Sequence, residues 1–249
     1  MLATAWLGAA LFLTSLAYFA YFYLVVLEHP GPTSAAQAPF AASVNIVLFS
    51  TFALHHSLFA RTGMKAALAR VVPAPLERAS YVWIASLLFL GVCYLWRPLP
   101  GVAWTSSGAL RALLYGVQLA GIVVTLKSAS RLDVWDLAGV RQVRAARSRS
   151  SVKDVETPAP SRPTQAPGPA PLEVRGPYRW LRHPIYLGWV LLVFGAPTMT
   201  MGRLLFATVS TAYLVVAIPI EERSLVHEFG DAYRDYQRQV RWRLVPGVW

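Results

Sequence analysis

The sequence predicts an all-α polytopic membrane protein of about six transmembrane helices with a cytoplasmic amphipathic C-terminal helix, counting roughly 20 apolar residues per crossing. Three observations lead there. Hydrophobic residues make up 55% of the 249 and charged residues only 14%, against about 25% charge in a soluble domain. Uncharged stretches recur at close to the length of a bilayer crossing. Basic residues gather in every second loop between them.

Leu2 to Leu27 is the first span; it lacks the basic n-region of a signal peptide, exceeds an h-region in length, and reads as a retained helix. Phe40 to Ala60, Tyr81 to Trp96, Ala112 to Leu126, Ile185 to Met201 and Leu204 to Ile220 follow. The last two are separated by Gly202-Arg203, which reads as the tight turn of a helical hairpin. From Glu221 to Arg241 the residues Leu225, Phe229, Tyr233, Tyr236 and Val240 alternate with charges at helical spacing, which predicts an amphipathic helix on the membrane surface.

The net charge is +11. The loops 61–79, 127–184 and 221–249 hold 20 of the 23 Lys and Arg residues, and the alternate loops only Arg97, Arg111 and Arg203. The positive-inside rule then puts both termini in the cytoplasm. Topology accounts for the charge, so a nucleic-acid partner is not expected.

Residues 145–172 contain six prolines and no aromatics, too little apolar surface to offset the entropy of ordering, and read as a flexible cytoplasmic linker. It separates a four-helix part, 1–144, from a hairpin with a polar tail, 173–249. Cys93, the single cysteine, lies in an apolar helix and reads as a small core hydrophobe.

Two clusters can carry chemistry. In Gly176-Pro177-Tyr178-Arg179-Trp180-Leu181-Arg182-His183-Pro184-Ile185-Tyr186-Leu187-Gly188, arginines and a histidine precede a proline suited to a helix first turn. The helix N-terminus behind it offers partial positive charge to an anion. Glu221-Glu222 stands at the end of the last span, where adjacent carboxylates near hydrocarbon are costly unless they meet a cation. S-adenosylmethionine, with a carboxylate, an ammonium and a sulfonium, suits both clusters, and Tyr233 and Tyr236 could face the sulfonium methyl with their rings. Positive-inside arginines with an interfacial aromatic belt remain the plain structural reading. His55 and His56 lack the companions of a metal site, so no metal is expected.

The stretch GPYRWLRHPIYLGW, an apolar hairpin, and EERSLVHEFGDAYRDYQRQVRWRLVP together resemble the C-terminal signature of the isoprenylcysteine carboxyl methyltransferase and phospholipid methyltransferase superfamily. TFALHHSLFAR, PLERASYVWIASLLFL, WRPLPGVAW, DLAGVRQV and APTMTMGRLLFATVSTAYLVVAI are most similar to the bacterial methanethiol S-methyltransferases within it. The segment SASRLDVW lacks the Asn-His pair associated with those enzymes, and no arginine shortly precedes the Glu pair, as it does in prenylcysteine enzymes.

The resemblance implies an S-adenosylmethionine site facing the cytoplasm, formed by Tyr178, His183, Pro184, Tyr186, Glu221 and Glu222, to which the reading of the residues themselves adds Arg182, Tyr233 and Tyr236. The acceptor is then a small thiol or a lipophilic molecule; a small thiol must be deprotonated, for which His183, and after it His55 or His56, is the candidate. A phospholipid amine, an isoprenylcysteine carboxylate, a non-catalytic NnrU-like membrane role and an NADPH-dependent sterol reductase are the alternatives.

Overall fold

The computed structural model describes residues 2–59, 72–73, 76–130, 140–141, 143–145, 172 and 174–249. Its helices are α1 (Leu2–Leu24), α2 (Ala38–Phe59), α3 (Glu77–Leu95), α4 (Gly108–Ala129), α5 (Pro184–Phe194), α6 (Met201–Phe229) and α7 (Asp231–Gln239). Strands β1 (Val102–Thr105) and β2 (Thr198–Thr200) pair antiparallel. The predicted linker lies outside the described residues except at its two ends.

The expected all-α membrane architecture holds, with one qualification in the fifth span. α1, α2, α3, α4 and α6 are long and apolar enough to cross a membrane, whereas α5 has 11 residues. At 1.5 Å per residue, α5 covers ~16 Å, about half the hydrocarbon thickness. The rest of that crossing is non-helical backbone from Gly195 that ends in β2, so the turn expected at Gly202-Arg203 is earlier, and both residues sit inside the first turn of α6.

Non-helical backbone at membrane depth survives only where protein groups satisfy it. The hydroxyl of Tyr23 donates to Val193 O and Gln118 Nε2 to Leu192 O at 3.1 Å, while Ser106 N donates to Pro197 O at 2.9 Å. Arg203, only 3% exposed, donates to Tyr23 O, Leu24 O and Thr198 O, placing its charge on the carbonyl end of α1. That role explains a charge which sequence reading assigned to a turn.

The core is aromatic. Phe206 is fully buried and meets Phe19, Phe22, Phe49 and Trp96, with ring centroids 5.4–5.9 Å apart. Phe89 and Trp189 extend the cluster, and Cys93 is buried within it as expected. α4 and α5 touch backbone to backbone, because a Cβ on Gly121 would lie 2.6 Å from Gly188 O and one on Gly188 2.7 Å from Gly121 O. Small residues permit such close crossings in membranes.

Near residue 2, Val140 and Val143 pack with Ala5 of α1 and Ala79 of α3. The expected continuous amphipathic helix from Glu221 is instead two pieces. α6 runs on to Phe229, Gly230 turns the chain at φ 59°, and α7 follows. Tyr233, Tyr236 and Val240 pack with Leu172, Val174, Leu225, Val226 and Phe229, so the apolar stripe covers protein.

Candidate functional site

The two sequence clusters meet. Pro184 begins α5, supplying the helical φ without a backbone N–H, and the turn Gly176–Arg179 leads into it. The tail closes over this entry by backbone pairing: Arg182 N donates to Trp242 O and His183 N to Arg243 O, each at 2.9 Å. From the other side, α6 delivers Glu221 and Glu222.

Adjacent residues on a helix point about 100° apart, and here that rotation separates two roles. The Glu222 side chain is 5% exposed and that of Glu221 44%. Arg182 Nε donates to Glu222 Oε1 at 2.6 Å, and His183 Nε2 lies 3.3 Å from the same oxygen. Gln237 Nε2 and Arg243 Nε donate to Oε2 at 3.3 and 3.1 Å. Four partners on two oxygens leave Glu222 no free direction, so it acts as a clamp among α5, α6 and the tail. Arg182 belongs to the same clamp, since its Nη1 donates to Val240 O at 2.9 Å.

Glu221 is differently placed. Tyr186 donates its hydroxyl to Glu221 Oε2 at 2.7 Å, and His183 Nδ1 stands 3.6 Å from that atom. The His183 and Tyr186 rings stack at 5.4 Å with 9° between planes, fixing each other's rotation. Glu221 Oε1 makes no hydrogen bond to the described residues. Burial, and then the charge of Glu221, push the Tyr178 phenol above its ordinary value, so it remains a neutral donor beside this carboxylate.

Tyr233 and Tyr236, expected at a sulfonium methyl, sit behind the site instead. Both are buried in the tail cluster, and Tyr236 donates to Tyr178 O at 2.8 Å and to Leu181 O at 3.3 Å. These bonds shape the Gly176–Arg179 turn from beneath. Burial raises the Tyr236 phenol above its ordinary value, keeping it a donor.

His55 and His56 do not join His183. They lie at the end of α2, where Tyr81 Oη is 2.7 Å from His56 Nδ1 and the His55 ring stacks on Tyr81 at 5.7 Å. Beside them Ser57 donates to the Tyr213 hydroxyl at 3.2 Å. Among the described residues no group of His, Cys, Asp and Glu could hold a metal ion. Arg243, Gln237, Tyr81 and Tyr213 are the contributors that sequence reasoning missed. The first two stood inside the quoted tail, but nothing in their spacing pointed at Glu222.

Known proteins give an independent view. The isoprenylcysteine carboxyl methyltransferase (ICMT) family matches residues 168–227. The chain is 36% identical to methanethiol S-methyltransferase 2 of Bradyrhizobium diazoefficiens over 87% of its own length and 76% of that protein. To the methanethiol S-methyltransferase of Mycobacterium tuberculosis it is also 36% identical, over 95% of this chain and 93% of the other. A shorter likeness, 31% identity over 31% of this chain and 33% of the other, links it to the protein-S-isoprenylcysteine O-methyltransferase of Dictyostelium discoideum. No solved structure matches.

Proposed function

This chain belongs to the family of the methanethiol S-methyltransferases and is an integral membrane methyltransferase; on that premise we propose that it transfers the methyl group of S-adenosylmethionine to a small apolar thiol such as methanethiol, forming dimethyl sulfide. The observation that carries the reading is the meeting of His183, Tyr186 and Glu221 at the mouth of α5.

The donor set suits the cofactor. A half-exposed carboxylate with one uncommitted oxygen, oriented by a tyrosine and a histidine, is what an ammonium or sulfonium requires near hydrocarbon. Glu221, Tyr186, His183 and Tyr178 are the residues that would hold it. When bound, S-adenosylmethionine supplies an already activated methyl group, so alignment and exclusion of water are what remain for the protein.

Within that scheme the residues divide. Tyr186 and His183 hold Glu221 in one rotamer, and the clamp on Glu222 keeps the tail closed over it. Because the thiolate is the nucleophile, a proton acceptor is also needed. His183 has both ring nitrogens beside carboxylates. In the tautomer that donates Nδ1–H to the Tyr81 oxygen, His56 keeps the lone pair on Nε2, and that atom is assigned the acceptor's proton. The positive-inside rule, applied to the alternating basic loops, supports a cytoplasmic side for this site and both termini.

The test is to supply methanethiol to cells expressing the chain and measure dimethyl sulfide in the headspace, alongside S-adenosylmethionine binding to the purified protein. Dimethyl sulfide above the empty-vector control is expected. Cofactor binding without it, and with methyl transfer to a phospholipid amine or an isoprenylcysteine carboxylate, would reassign the acceptor. No cofactor binding would overturn the reading.

A further inference from the structure

We propose that a second site, on the far side of Glu222 from His183, binds the phosphate of an anionic phospholipid in the leaflet that faces the tail. A cleft of about 330 Å³ opens there, lined by Pro219, Glu222, Arg223, Val226, Gln237 and Arg243. It lies on the Oε2 side of the Glu222 carboxylate, where Gln237 and Arg243 bind, whereas Arg182 and His183 hold Oε1.

Its chemistry is amphipathic in the order a lipid presents. Pro219 and Val226 give apolar walls on α6, and the apolar run of that helix ends at Ile220, so Arg223 lies one turn beyond hydrocarbon, at headgroup depth. Arg223 is exposed and makes no hydrogen bond or ion pair with the described residues. Arg243 gives Nε to Glu222 and lays its guanidinium over the Trp249 ring at 5.4 Å, which leaves both terminal nitrogens without a hydrogen bond to the described residues.

Two guanidinium groups with spare N–H donors at one mouth match the oxygens of a phosphate. Glu222 is the one carboxylate lining the cleft, and Arg182 and Arg243 already face it, so the positive charge of Arg223 is left over for a ligand. A lipid held there would brace Arg243, and through it the clamp that closes the tail over the site.

Native mass spectrometry of the full chain in detergent tests this with phosphatidylglycerol, diacylglycerol of the same chains, and inorganic phosphate. Wild-type protein should bind phosphatidylglycerol about fivefold more tightly than Arg223→Gln, the effect of one basic side chain at an anionic headgroup. Arg223→Lys should keep most of that affinity, and diacylglycerol should not distinguish the proteins. Retention by the wild type should also fall as salt rises, a readout that needs no variant to fold. Equal phosphatidylglycerol affinity in wild type and Arg223→Gln, or salt-independent retention, would overturn the site. Displacement of the lipid by millimolar inorganic phosphate would assign the cleft to free phosphate and overturn the lipid.

Discussion

Tyr186, in the first turn of α5, donates its hydroxyl to Glu221 Oε2 on α6 at 2.7 Å, so the exposed carboxylate is held by an element 35 residues away in sequence. His183 stacks on that tyrosine and stands beside the same oxygen. Orientation of one carboxylate therefore depends on the α5 entry keeping its place.

Replacing Glu221 by Gln removes the charge assigned to the cofactor while keeping an amide oxygen that can accept from Tyr186. S-adenosylmethionine affinity, measured by calorimetry, is expected to fall by about tenfold or more, the effect of losing one charge-assisted contact. The melting temperature should move little, because the side chain is 44% exposed.

Glu222→Gln is expected to behave in the opposite way. Arg182, whose side chain is 8% exposed, would lose its counterion in a buried setting, at a cost of about 3 kcal/mol. Thermal unfolding should shift down by several degrees, and limited proteolysis should release the tail beyond Gly230 before the membrane part. A variant as stable as wild type would show that the tail is held by its apolar contacts alone.

Gly188→Ala tests whether the glycine of the motif serves packing. A Cβ there would lie 2.3 Å from Thr125 Oγ1 and 2.7 Å from Gly121 O, and the backbone oxygen cannot yield. Overpacking of this kind costs about 1–3 kcal/mol. Activity should drop with stability, since α5 carries Tyr186. Gly116→Ala on α4, with nothing within 4 Å of the added methyl, is the control and should unfold no lower than wild type, since Ala favours a helix over Gly by about 1 kcal/mol.

His56→Gln separates proton transfer from cofactor binding. Turnover of a small thiol is expected to fall by about 100-fold, the usual contribution of a positioned base, while S-adenosylmethionine affinity stays at the wild-type value. Raising the pH should restore part of the rate, because the free thiolate fraction then rises without help. Tyr81→Phe, which removes the partner of His56 Nδ1, should give a smaller loss of the same kind.

Much of this molecule is legible along the chain. Leu2 to Leu27 is apolar over a full crossing, and the basic loops alternate, both local properties that lipid and membrane potential read directly. The motifs at 176–188 and 221–246 pointed at one site, and the structure brings His183 within 3.6 Å of Glu221. The shortness of α5 was missed because Ile185 to Met201 carries no charge, although Gly195 and Pro197 within it are helix breakers; Tyr23, Gln118, Ser106 and Arg203 satisfy the backbone where it leaves helical form.

Hydrophobic run lengths thus determined by themselves that the chain lives in a membrane, since a full-length apolar run answers to the bilayer; the fifth crossing, with its 11-residue helix, needed the surrounding protein as well. The division of labour between Glu221 and Glu222 was decided by tertiary structure. Two neighbouring carboxylates are equivalent on paper, and the rotation of α6 about its own axis, set by packing such as that of Phe206, turns one into the Arg182 clamp and leaves the other open.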